Sequence, residues 1–498
     1  MNHWIMAPFL LPLMLGAVLA WLDDGRAVLQ RRLSLLGSLA LVGIALQLLG
    51  TAASGPVQIY AMGDWSAPFG IVFVLDRLSA LLVLTTAVLA LLVNLYACGG
   101  DDSRGRYFHA LFQFQVAGIS GAFLTGDLFN LFVCFEILLI ASYALLLHGS
   151  GNARLRSAVH YVVLNLVGSA LFLLGAGLVY GVSGTLNMAD IARFVQQADG
   201  DSLHLMRAAG WILILVFGLK AAFLPLHFWL PAAYASATAP VAALFAIMTK
   251  VGLYAILRVV TLIFAFDSGS ADLDLLFAIA LLTLLLGAIG AFAASTLQLM
   301  LAWLVLVSVG TLLAGISLAS EQSISASLYY LLHSTWGMAG MFLLADLIAR
   351  QRGRLAGMLR SGPQLGTPVR LGLLFFVGAI ATAGLPPFSG FIGKLALLQS
   401  ASGLQATLFW SAALLGSFMV IMALSRAGSL LFWQQKTGVN DAAAQPLSAL
   451  CFGSALALTA TVVVLVIAAA PVLAYCSAAA QQLLEPALYL QQLPGGQP

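Results

Sequence analysis

A chain of 498 residues in which 62% are hydrophobic and only 8% are Asp, Glu, Lys or Arg falls far below the roughly 25% charged residues of soluble domains, which excludes a water-soluble globular protein. The formal net charge of +3 comes without a basic run interleaved with aromatics, which excludes a nucleic-acid surface. Cys98, Cys134, Cys451 and Cys476 show no CxxC or Cys/His spacing, so no metal site, disulfide framework or cofactor is expected.

Apolar runs of about twenty residues follow one another, each long enough to cross a hydrocarbon core of roughly 30 Å as a helix that satisfies its own backbone. They predict an all-α integral membrane protein with about fourteen transmembrane helices, at 4–22, 33–50, 74–97, 107–125, 128–147, 158–181, 208–229, 239–264, 273–294, 298–318, 326–349, 371–396, 407–433 and 448–475. The first run lacks a basic flank and meets Asp23 and Asp24 rather than a small-residue cleavage site, so it reads as a retained helix. Helix seven is interrupted at Pro225, and helix twelve at Gly384, Pro386 and Pro387, because proline removes backbone donors. Paired breaks mark an inverted-repeat transporter. Lys220 and Lys394 are 174 residues apart, Lys250 and Arg426 176, and His160 and His333 173, which suggests that helices 4–8 (107–265) repeat as helices 9–13 (272–435). Helices 1–3 (1–106) precede the repeats; a last helix (448–475) and a polar tail (476–498) follow. An outside N-terminus puts thirteen basic residues, from Arg26 to Lys436, on the cytoplasmic side against Arg77, Arg193 and Arg207 outside, so an even helix count with both termini outside is favoured.

Three of the four lysines, Lys220, Lys250 and Lys394, fall inside apolar runs, although a central charge costs at least roughly 2.5 to 3.5 kcal/mol on insertion scales. Glu136 adds a carboxylate within LFNLFVCFEILLIASYALLL; Asp127, near that helix's end, is the weaker candidate. His227 and His333 supply imidazoles that titrate near neutral pH, whereas His160 follows Arg154 and Arg156 and reads as a helix start. One glutamate cannot neutralise three lysines, which weighs against purely static ion pairs. An amine held away from water favours its neutral form and can load and release a proton. A carboxylate at about 4 Å opposes that by roughly 4 kcal/mol at an effective dielectric near 20. Opening and closing a Glu136–Lys220 pair would switch the lysine between proton acceptor and fixed cation. A row of Lys220, Lys250, His333 and Lys394 joined by water would form a lateral proton path. Arg258 and Arg426 read as helix-end anchors or ion-pair partners, since arginine does not deprotonate usefully.

At these residues the chain resembles the antiporter-like membrane subunits shared by respiratory complex I, membrane-bound hydrogenases and Mrp-type multisubunit cation/proton antiporters. The likeness covers roughly residues 70 to 435. It rests on FEILLIASYALLLHG around Glu136, GLKAAFLPLHFWLPAAYASATAPVAALFAIMTKVGLYAILR around Lys220 and Lys250, and GLPPFSGFIGKLAL ending near Lys394. The resemblance implies a fourteen-helix fold with two inverted five-helix repeats, and the proton-translocating roles of Glu136, Lys220, Lys250 and Lys394. It also implies partner subunits, a larger antiporter-like one and several small ones, in a bacterial inner membrane. Departures favour the Mrp-type branch. Thr296, Gln298 and Leu299 stand where complex I relatives carry charges, Met338 where many relatives have lysine, and Tyr234 where a second histidine often follows. The expected function is that of a secondary transporter subunit exchanging Na+ or K+ for protons, with no catalytic residues. The alternatives are a proton-pumping subunit of a redox complex and a scaffold whose charges only hold helices together; no ATP-binding motif supplies another energy source.

Overall fold

Uninterrupted apolar sequence folds here into membrane-length helices, in a computed structural model that describes residues 2–22, 24–65, 67, 69–264, 270–434 and 445–491. Among the described residues twelve helical segments are long and apolar enough to span a bilayer, and two shorter apolar helices, Phe108–Leu124 and Pro368–Ala383, complete the expected fourteen. Lys436, counted above for topology, lies outside the described residues.

The helices in chain order are α1 (Ala7–Trp21), α2 (Ala27–Ser54), α3 (Arg77–Ala97), α4 (Phe108–Leu124), α5 (Leu128–Leu147), α6 (Asn152–Ser183), α7 (Met188–Gln197), α8 (Gly200–Ala221), α9 (Leu230–Ser236), α10 (Ala239–Phe245), α11 (Met248–Arg258), α12 (Ala271–Ala293), α13 (Leu297–Ser317), α14 (Glu321–Gln351), α15 (Pro368–Ala383), α16 (Ser389–Gln399), α17 (Gly403–Gly428), α18 (Ala449–Ile467), α19 (Ala469–Leu484) and α20 (Pro486–Leu490). Both expected interruptions are present. The seventh span is α8 and α9, parted around Pro225; the twelfth is α15 and α16, parted by Gly384–Phe388. An antiparallel hairpin of β1 (Gln58–Ala61) and β2 (Val72–Leu75) closes the α2–α3 connection, which helical periodicity does not foretell. The expected last helix divides into α18 and α19, and helical structure runs on to Leu490 with Tyr489 buried, where the sequence read as a polar tail from 476. Residues 492–498 of that tail lie outside the described residues.

Backbone hydrogen bonds reveal the repeat. Leu128 N donates to Leu186 O (2.8 Å) and Met188 N to Gly126 O (2.9 Å); the same pair recurs as Leu297 N to Gly357 O (2.8 Å) and Leu359 N to Ser295 O (2.9 Å). The first clasp joins the hairpin end of the bundle, where Gly126 N donates to Val72 O (2.9 Å). The second follows α14, whose last turn pairs with Asp101 through Arg350 at the opposite end. The repeats are therefore inverted. Each ends in a π-helical turn, Val259–Ile263 and Ser429–Trp433. The lysine interval, however, does not mark equivalent positions. Lys220 stands two residues before the left-handed cap Ala222, and Thr382 two residues before the left-handed cap Gly384, so Thr382, not Lys394, is the counterpart of Lys220.

Two charged clusters pin the ends. At the hairpin end Asp76 caps α3, accepting from Ser79 N (2.7 Å), and also accepts from Arg258. Arg258 Nε donates to Tyr254 OH (3.1 Å), which donates to Phe123 O (2.9 Å). At the other end Arg31 donates twice to Asp102 (2.5 and 2.8 Å), and His109 Nε2 lies 3.1 Å from the same carboxylate. Burial opposes ionisation of Asp102, but the hydrogen bonds from His109 and Arg31 outweigh it and hold the carboxyl down at about 2. Asp101 pairs with Arg104 (2.9 Å) and Arg350 (2.5 Å). One short turn thus ties α2, α3, α4 and α14 together.

Removing one partner of a buried pair leaves an uncompensated charge, so Arg258→Leu is expected to cost about 3 to 5 kcal/mol. The check is the melting temperature of the purified complex. His148 Nε2 lies 2.8 Å from Asp101 O; burial lowers its pKa, nearby Arg104 and Arg154 add to that, and the Asp101 carbonyl opposes it. Its contribution to stability is full above its unfolded value of about 6.5 and is lost as pH falls through the lower folded value. Melting temperature should therefore fall from pH 7 towards pH 5, and His148→Gln should flatten part of that slope.

Candidate proton-translocation site

A helix that ends inside a membrane leaves carbonyls without partners. At the α15 break those carbonyls meet Lys394: Nζ donates to Ala383 O (2.9 Å) and Thr382 O (3.4 Å) and lies 3.5 Å from Ser417 Oγ. The ammonium group thus sits at the negative end of α15, where a cation is favoured. Gly384 makes the approach possible, since it holds φ +81° and a Cβ there would come 2.6 Å from Lys394 Cδ. Its neighbour His333 points Nδ1 at Ser389 Oγ (2.9 Å), on the first turn of α16. Gly390 lets the ring in, because a Cβ at that position would lie 2.7 Å from His333 Nε2.

In the first repeat Lys220, 5% exposed, is in the last turn of α8. Its Nζ donates to Asn165 Oδ1 (3.2 Å) and to Asn165 O (3.4 Å) on α6, and it lies 6.0 Å from the centroid of the Phe135 ring. Glu136, partly buried on α5, accepts from Ser169 Oγ, which also lies 3.0 Å from Asn165 O. Among the described residues no direct ion pair joins Glu136 to Lys220. A serine and an asparagine one turn apart on α6 stand between them. Sequence reasoning missed both; the signal was polar side chains at i and i+4 within the apolar run YVVLNLVGSALFLL.

Lys250, fully buried on α11, donates to Ser308 Oγ (3.2 Å) on α13. A cavity of about 10 Å³, close to the room one water needs, lies between Ser308, Tyr330, His333, Ser334 and Thr382. A second of about 10 Å³ touches Lys394, Thr311 and Ser417. Two cavities of water size thus lie between Ser308, the partner of Lys250, and Lys394, whereas no hydrogen bond links Lys220 to Lys250 among the described residues. His227 stands apart on the 3₁₀ turn Leu226–Trp229, its ring 4.5 Å from Phe228 and 5.9 Å from Trp303 and its Nδ1 without a partner among the described residues. Asp127 caps α5 through Asn130 N (2.8 Å), and His160 is exposed against Arg156 O (3.0 Å). Arg426 donates to Ala294 O (3.0 Å), an anchor as expected.

One cluster could in principle ligate a metal: Cys98, Asp102 and His109 offer donor atoms within 4.8 Å of one another. Asp102 is already held by Arg31, however, and a dication would sit beside that guanidinium. Burial and then the Asp102 carboxylate push the Cys98 thiol up to about 12, so it is a poor ligand at neutral pH.

Comparison with known proteins places this geometry. The family model described as NADH:quinone oxidoreductase/Mrp antiporter, TM, matches residues 125–420. The chain is 39% identical over 475 residues to the D-type subunit of a probable K+/H+ antiporter of Rhizobium meliloti, covering 88% of each chain. To the D-type subunit of the Na+/H+ antiporter of Bacillus subtilis it is 38% identical over 444 residues, again covering 88% of each. Its fold superposes on a chain of the Mrp complex from Dietzia sp. with TM-score 0.88 and 25% identity, over 99% of this chain and 100% of that one. A chain of respiratory complex I from Thermus thermophilus matches with TM-score 0.81 and 26% identity, over 97% and 100%. The chain belongs to the membrane-subunit family shared by NADH:quinone oxidoreductases and Mrp antiporters, on the branch whose members are named as D-type antiporter subunits.

Proposed function

We propose that this chain is the proton-translocating subunit of a multisubunit antiporter exchanging Na+ or K+ for protons. The observation that carries the reading is the relay Glu136–Ser169–Asn165–Lys220, in which a carboxylate and an amine are each satisfied by neutral side chains of the same helix. A small shift of α6 against α5 and α8 would exchange these contacts for a direct pair, and a direct pair would hold the proton on Lys220. From Lys250 the single-water cavities near Ser308 and Thr311 offer protons a route past His333 to Lys394. His227, without a hydrogen bond to any of the lysines among the described residues, is the least supported member of the set. Partners would be other antiporter subunits, including a larger antiporter-like one and small membrane subunits, in a bacterial inner membrane with the hairpin end outside. The redox-complex reading is supported by the likeness to complex I, but that chain is 26% identical, whereas the relatives at 38% and 39% identity carry antiporter names.

Lys220→Ala and Glu136→Gln are expected to lower cation-driven proton flux in inverted vesicles at least tenfold while every other subunit still co-purifies. Normal flux in both variants would make these groups structural; loss of assembly would make them a scaffold. Asn165→Leu deprives the Lys220 ammonium of its side-chain acceptor, so flux should drop by a similar factor. Ser169→Ala, which frees Glu136 to reach Lys220, should instead slow flux less and shift its pH dependence.

A further inference from the structure

At the Asp101/Asp102 end, a polar cavity of about 340 Å³ opens between the start of α2 and the start of α4, lined by Gln30, Arg31, Arg104, Arg106, Tyr107 and His109. We propose that it holds the phosphodiester of an anionic phospholipid. The only carboxylate in its wall among the described residues, Asp102, is already engaged by Arg31 and His109. Donors remain: Arg31 uses Nε and Nη2 on Asp102, and Arg104 holds Nε 2.9 Å from Asp101 as an ion pair, which leaves Nη1 of Arg31 and both Nη groups of Arg104 without hydrogen bonds among the described residues. Guanidinium groups are suited to phosphate oxygens. The Arg106 guanidinium lies 5.2 Å over the Tyr107 ring. Tyr107 holds φ +60°, a left-handed backbone that a bulky residue rarely adopts and that recurs at binding sites.

The surroundings choose lipid over a soluble anion or a protein. Trp21 is 92% exposed and Tyr107 45%, the aromatic belt of a headgroup region. Below the pocket Val28, Leu29, Leu36 and Leu39 are exposed at spacings that share one face of α2. From Val28 to Leu39 the helix rises about 16 Å, close to the acyl depth of one leaflet, roughly half of a 30 Å core. A pocket of this volume admits a phosphate and its glycerol but not a helix.

The test uses the assembled complex in nanodiscs of phosphatidylethanolamine with and without phosphatidylglycerol, quantifying lipid retained after a detergent wash. Native complex should retain phosphatidylglycerol selectively, and an Arg104→Gln/Arg106→Gln double variant should lose at least fivefold of it while Arg370→Gln, outside the pocket, loses none. Arg106→Gln alone, which spares the Asp101 ion pair, should give a smaller loss in the same direction and serves if the double variant does not assemble. Equal retention in native and variant complexes overturns the proposal. So does displacement of the lipid by millimolar inorganic phosphate, which would make the pocket a free-phosphate site, or loss of a partner subunit together with the lipid, which would make it a protein interface.

Discussion

A carbonyl freed inside the hydrocarbon core has no water to turn to, and this protein frees several by breaking its seventh and twelfth spans. At the twelfth, the last carbonyls of α15 are taken up by the half-buried Lys394 ammonium, so the backbone defect and the charge satisfy each other. That reciprocity explains why a lysine can lie deep in an apolar helix, and why glycines rather than larger residues stand at 384 and 390, where the ammonium and the imidazole press against backbone.

The seventh span solves the problem differently. Lys220 precedes its break and takes its acceptors from α6, through Asn165, while Glu136 takes Ser169. The two inverted halves are alike in backbone, with the same clasps and the same terminal π turns, yet they are chemically unlike. The first half contains an acid and a base linked through Ser169 and Asn165; the second contains a base fixed by carbonyls and a histidine held by a serine.

Much of this could be read from the sequence, for identifiable reasons. Hydrophobic length alone locates all fourteen spans, because each must cover the same thickness. Proline and the Gly384 cap mark the breaks, because they remove donors or require a left-handed backbone. The charges at 136, 220, 250 and 394 stand out because insertion is costly. Their partners did not stand out. Asn165, Ser169, Ser308 and Ser389 cost little to bury once they bond a neighbouring polar group, so in sequence they resemble any serine or asparagine of a membrane helix. The interval between Lys220 and Lys394 signals the repeat without marking equivalent residues: both lysines lie beside a carbonyl-rich break, but on opposite sides of it. The hairpin and the helical structure beyond residue 475 were illegible because their stability comes from contacts, such as Tyr489 beneath Arg258, and not from periodicity.

The difference between the halves bears on how protons would cross. In a half where acid and base could meet, the affinity of the amine for its proton would change with the distance between them, so the proposed motion of α6 would do work on the proton. Among the described residues Lys394 has no carboxylate partner: the α15 dipole stabilises it without moving, and a fixed field could guide a proton but not drive one. On the proposed reading, coupling would rest with Glu136 and Lys220, and the groups from Lys250 through Ser308 to His333 and Lys394 would act as conductor. On that division of labour the charges that this chain lacks at Leu299 and Met338 would be no loss, since a conductor needs hydroxyls and room for water more than it needs a second switch.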